Sequence, residues 1–77
     1  MLYAVAELHL PSGEVLRQQV LETCDGELLS FAPFMCENHA MTFVPVVFLK
    51  EVVYGGNAGV VLCAYAPDAT GGWMLLG

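Results

Sequence analysis

Asp25-Gly26 lies between two apolar runs, and no other pair in the chain constrains the fold as much. A two-residue hairpin turn needs positive φ at both central positions. Glycine accepts that freely, and aspartate tolerates it. The flanking segments Glu14 to Cys24 and Glu27 to Phe34 then become the two arms of one hairpin. A helix competes for the first arm, because VLRQQVLE has helical spacing and good helix formers. The strand reading is stronger, since Ser12 is the one good N-cap nearby and a short second arm follows the turn at once.

The rest of the chain reads in the same way. Leu2 to Leu10 alternates and predicts a strand whose even side (Leu2, Ala4, Ala6, Leu8, Leu10) is buried. Pro11-Ser12-Gly13 breaks it with turn chemistry. Pro33 has no N–H for a ladder and marks a strand end or an edge. Ala40 to Leu49 is rich in β-branched and aromatic residues, but Pro45 stands in its middle. That run is therefore bent, split into two short strands, or at an edge. Lys50 to Tyr54 stays extended, Gly55-Gly56-Asn57 turns, and Gly59 to Ala66 has the character of a buried strand. Pro67 to Gly72 turns again before a short strand from Trp73 to Leu76. No helical pattern of useful length remains. The expectation is one all-β domain over residues 1–77, a small β-sandwich or open barrel of about six short strands.

Size and composition say how such a domain must be completed. At 77 residues a chain buries only roughly 60–65% of its unfolded surface. Hydrophobic residues make up 57% of this one and charged residues 13%, more apolar surface than a small monomer hides. Some of it is expected to lie against a second copy or a protein partner, with Phe43–Leu49 or Val60–Ala66 as the contact surface. Eight carboxylates against Arg17 and Lys50 give a net charge of -6. That charge repels phosphate backbones and anionic membrane surfaces, so neither nucleic acid nor membrane is an expected partner.

Cysteines number three, Cys24, Cys36 and Cys63, and an odd count suits a disulfide framework poorly. Met1 to Leu10 lacks the basic start of a signal peptide, and Glu7 and His9 interrupt its apolar run. A reduced, cytoplasmic protein is the expectation.

Between Ser12 and Phe43 the pattern resembles the small β-sandwich (composite) domain that flanks the barrel of amidohydrolase-superfamily metal-dependent hydrolases. Glu14-Val15-Leu16, Gln19 to Thr23, Asp25-Gly26-Glu27-Leu28-Leu29 and Ala32-Pro33-Phe34 fill its strand and turn slots. Glu37 to Phe43 looks like the polar step and next strand of stand-alone relatives. The match spans about half of the chain. Gln18-Gln19 stands where the family often has Asn-Gly, and Val44-Pro45-Val46 lacks the family's Pro-Gly step into the barrel. The His-x-His motif, the barrel and its further metal and catalytic residues have no counterpart here. The resemblance thus implies the fold without the chemistry.

Candidate chemistry is sparse. Cys36 and His39 form a C-x-x-H pair that could bite one metal, with Cys24 or His9 as further ligands. A structural zinc site wants two such pairs, so no metal or cofactor is expected. The same pair could act as nucleophile and base, but no orienting group or oxyanion hole accompanies it. Cys24 and Cys63 read as small core hydrophobes. The glycines at 55, 56 and 59 lack the lysine of a phosphate loop. Trp73 reads as a core or interface anchor. Glu7, Glu22 and Glu27 could gather across strands, but solvated charges are the ordinary reading.

The sequence therefore points to a non-catalytic domain with a structural or protein-interaction role, as a homodimer. Three alternatives remain: a small-ligand module with a pocket between sheets lined by Phe31, Phe43, Tyr65 or Trp73, an accessory subunit of a larger hydrolase, and a metal or thiol protein built on Cys36 and His39.

Overall fold

A computed structural model describes residues 1–35, 41–53 and 59–77. The turn at 25–26 has the expected geometry, with φ of 53° at Asp25 and 85° at Gly26. It joins the second and third of six strands: β1 (Leu2–His9), β2 (Val15–Cys24), β3 (Glu27–Pro33), β4 (Met41–Val53), β5 (Val60–Pro67) and β6 (Trp73–Leu75). There is no helix among the described residues, and so none long and apolar enough to cross a membrane.

The strands form one mixed sheet in the order β3-β2-β1-β4-β5-β6. β1 and β2 are antiparallel, as are β2 and β3, whereas β4 runs parallel to β1 on its other side. β5 returns antiparallel along β4, and β6 along β5. The sheet rolls until β3 meets β5 at a single bridge between Glu27 and Cys63. There the Ala64 N–H donates to the Gly26 carbonyl over 2.9 Å. The result is an open barrel with β6 as a short flap on β5.

The core has a phase that simple alternation does not predict. On β1 the buried residues are Tyr3, Val5 and then Leu8, whereas the sequence pattern assigned the even side to the core. The cause is a row across three strands. In the running register Ala6 falls opposite Gln18 on β2 and Pro45 on β4, and neither pair forms. Gln18 adopts a left-handed φ of 54°, and Pro45 has no N–H. All three strands change face at this row. β2 turns Leu16 inward before it and Leu21 and Thr23 after it. β4 turns Val44 inward before it and Val47 and Leu49 after it. Pro45 therefore neither ends nor splits its run: Met41 to Val53 is one strand, bent where the ladder lapses.

Leu8, Leu21 and Val47 are fully enclosed, and Ala64, Ala66 and Leu76 complete the same cluster from β5 and the segment after β6. Two buried polar side chains are satisfied. Thr23 Oγ1 donates to the Gly77 carbonyl, and Gln19 Nε2 donates to the Arg17 carbonyl over 3.1 Å. Tyr3 Oη also donates to the Gly77 carbonyl, over 3.5 Å.

Candidate interaction surface

Only some of the residues anticipated for chemistry lie among the described ones. Cys36 and His39 lie outside the described residues, as does the Gly55-Gly56-Asn57 turn. Cys24 is exposed and Cys63 buried. The expectation that both are core residues therefore fails for Cys24, which sits on the outer side of the hairpin end beside the inward Thr23. His9 engages Glu7, 3.3 Å from its carboxylate. Glu7, Glu22 and Glu27 do not pair with one another. They stand opposite Arg17, Ser30 and Cys63 respectively. Among the described residues no three His, Cys, Asp or Glu side chains are grouped to hold a metal.

What the fold does bring together is apolar and lies on the surface. The first such place is the gap between β3 and β5. Past the Glu27–Cys63 bridge these strands separate and leave a depression of about 470 Å³ between Leu28–Phe31 and Val60–Leu62. Every β3 residue from Leu29 to Pro33 is exposed, with Leu29 57% and Phe31 40% accessible. β3 also carries an irregularity at Leu29, where its register with β2 shifts by one residue.

The second is a groove of about 480 Å³ over β1, lined by Ala4, Ala6, Gln18, Phe34, Met41 and Phe43. It lies at the row where the ladder lapses, so the bend that sets the core phase also shapes this hollow. Of the residues expected to line a pocket between sheets (Phe31, Phe43, Tyr65 or Trp73), no two line the same one of these two hollows. One rolled sheet encloses a filled core, Phe31 and Phe43 line separate surface hollows, and Tyr65 and Trp73 line neither.

The third is an aromatic row on the outer face. Parallel pairing sets His9 beside Phe48, with rings stacked 4.1 Å apart at 18°. Trp73 meets Phe48 edge-on at 4.8 Å, and the Lys50 ammonium sits 5.4 Å from the Trp73 ring centre. Trp73 is 49% exposed and so is a surface anchor, not a core one. Sequence reading missed this row because it depends on the parallel β1–β4 register, which no local signal encodes.

The Pro67–Gly72 turn gathers hydrogen-bond donors around the Asp68 carboxylate. The Thr70 hydroxyl donates to Asp68 Oδ1 over 2.7 Å, and the Gly72 and Thr70 N–H groups each donate over 2.9 Å. These bonds favour the carboxylate and hold Asp68 below the usual aspartate range, the Thr70 hydroxyl most of all. Three donors on one oxygen shape the Pro67–Gly72 turn.

Comparison with protein-family models, curated proteins and solved structures finds no match to this chain.

Proposed function

We propose that this chain is a non-catalytic β-barrel interaction module that associates with a second copy of itself and serves a structural role. The observation that carries this reading is the placement of large apolar side chains along an open strand edge. Leu29, Phe31 and Val60 are exposed around a gap that the barrel does not close. Monomeric proteins seldom leave such edges bare, because unpaired backbone groups beside apolar side chains invite another strand. The composition supports it as well, since 57% hydrophobic residues exceed what one small core encloses. The composite-domain resemblance points the same way, because that domain flanks chemistry carried out elsewhere. We place the module in the cytoplasm on its odd cysteine count.

Light scattering at micromolar concentration tests the reading. Twice the chain mass is expected, and a monomer at tens of micromolar would overturn it.

The groove over β1 favours a second reading, a site for a small apolar ligand. Its lining is mostly apolar and its two phenylalanines come from β4 and the end of β3. Saturable one-to-one binding of an anilinonaphthalene dye, lost in Ala6→Glu, would support it. Binding that Ala6→Glu leaves unchanged would remove it.

A further inference from the structure

The geometry points to where two copies meet: the outer face of β1 and β4, about a twofold axis lying across the His9–Phe48 pair, with Lys50 of each copy against Glu7 of the other. This inference rests on the self-association reading, which does not itself fix the contact.

Six side chains from four strands make one row on this face. Arg17 approaches Glu7 at 3.9 Å, Glu7 meets His9 at 3.3 Å, and His9 stacks on Phe48. Phe48 meets Trp73 edge-on, and Lys50 closes the row over the Trp73 ring. The chain has only two Lys and Arg side chains, and both stand here. Among the described residues, both contacts between a carboxylate and a basic side chain are also here, Glu7 with His9 and with Arg17. Two copies of a chain with net charge -6 repel one another. This row holds the Lys and Arg charges that offset the repulsion at a contact, so charge selects this face.

The row is also complementary to its own reverse. β1 and β4 run parallel, with His9 opposite Phe48. Glu7 stands two residues before His9 on β1, and Lys50 two residues after Phe48 on β4. The acid and the cation therefore lie on opposite sides of the ring pair, equally far along the strands. A twofold axis crossing the face at that pair brings Lys50 of each copy to Glu7 of the other, with the His9–Phe48 rings at the centre. A contact of this kind uses the same patch on both copies and closes as a dimer. Lys50 is exposed and makes no ion pair among the described residues, so its charge is free to meet that carboxylate. Trp73 is half-exposed beside it and supplies a large apolar surface for the second copy to cover.

Charge exchange tests the contact, read by sedimentation velocity across a dilution series. Lys50→Glu puts two acids at each contact and Glu7→Lys puts two cations there. Each variant alone should dimerise at least about tenfold more weakly than the parent, with an unchanged circular dichroism spectrum. Mixed one to one, the two variants set opposite charges together again at both contacts, so heterodimers should form within about threefold of the parent affinity. A second measurement needs no variant. Dilution of the unmodified chain through its dissociation midpoint should move the Trp73 emission, excited beyond tyrosine absorption, to longer wavelength as the indole meets water. Folded single variants that dimerise as tightly as the parent, a mixture of them no tighter than its components, or an emission that dilution leaves unmoved overturns the face pairing and leaves self-association standing. A monomer at tens of micromolar overturns both.

Discussion

The Leu75 side chain fills the space that a Cβ on Gly26 would need: that atom would lie 2.6 Å from Leu75 Cδ1. The hairpin turn and the β6 flap are thereby locked together at the point where the barrel closes. Gly26 also holds a φ of 85°, so two penalties coincide there. We expect Gly26→Ala to cost about 1–3 kcal/mol. Denaturant unfolding of the single variant and of Gly26→Ala with Leu75→Ala separates the two penalties. Part of the cost should return in the double variant, and an identical cost in both would show that Leu75 does not press on the turn.

The lapse at Ala6 makes a second expectation. Gln18 spends backbone energy to hold a φ of 54° while its side chain stays exposed. Glycine adopts that conformation without strain but loses more chain entropy on folding, so Gln18→Gly should fall within about 1 kcal/mol of the parent. A β-branched side chain is a genuine outlier there, and Gln18→Val should lose more than about 1 kcal/mol. Equal midpoints for the Gly and Val variants would count against the left-handed bend.

Core phase gives the third. Leu8 is fully enclosed, whereas Ala6, two residues earlier on the nominally same face, is exposed. Leu8→Ala should cost about 2–5 kcal/mol, which threatens folding in a domain of this size. Ala6→Ser should stay within about 0.5 kcal/mol. Comparable losses at both positions would restore the uninterrupted alternation that the sequence suggests.

Those three sites also mark how far the sequence can be read. The Asp25-Gly26 turn was legible because its chemistry is local: two positive φ values select two residue types. Six strands and their approximate limits follow from turn residues and β-branched runs, which are local as well. The face of β1 was not legible, because it depends on Gln18 and Pro45 meeting Ala6 from strands on either side. The parallel β1–β4 pairing brings together segments about 40 residues apart in sequence, and no turn signal specifies it. Cys24 was misassigned for the same reason, since its outward side is set by the register after the bend. The open β3 edge was half legible. Pro33 announced an edge, but only the roll of the sheet shows that β5 meets β3 at one residue pair and no further.

The Asp68 turn yields a pH expectation. Its carboxyl titrates below the usual aspartate value, first because of the Thr70 hydroxyl and then because of the Gly72 and Thr70 N–H groups. A depressed folded-state pKa adds stability that is fully present above the unfolded value near 3.8. That stability is lost as pH falls through the folded pKa. Thr70→Val removes the leading donor, so the Asp68 titration should move up toward 3.8. Carbon-13 NMR of the side-chain carboxyl across acid pH reads this directly, and an unmoved titration would show that the hydroxyl contributes nothing.

The aromatic row makes the last expectation, one that ties packing to an optical signal. Trp73 is the only tryptophan, so emission excited at the red edge of its band, beyond tyrosine absorption, reports on its surroundings alone. Phe48 supports it edge-on, and His9 stacks on the opposite partner, Phe48. Each such aromatic contact is worth about 0.5–1.5 kcal/mol beyond area burial. Phe48→Ala removes both contacts and should shift the Trp73 emission to longer wavelength with a loss of about 1–3 kcal/mol. His9→Ala removes one contact and leaves Trp73 seated on Phe48, so it should cost less and leave the emission nearly unchanged. Lys50→Met keeps the aliphatic stem over the ring while deleting the charge. An exposed cation–π contact contributes about 0.5–1 kcal/mol, so this variant should be nearly as stable as the parent. If His9→Ala shifts the emission as far as Phe48→Ala does, the row transmits position from ring to ring and Phe48 is held in place by His9. If Phe48→Ala leaves the emission unmoved, Trp73 is anchored by β6 pairing with β5 and not by the row.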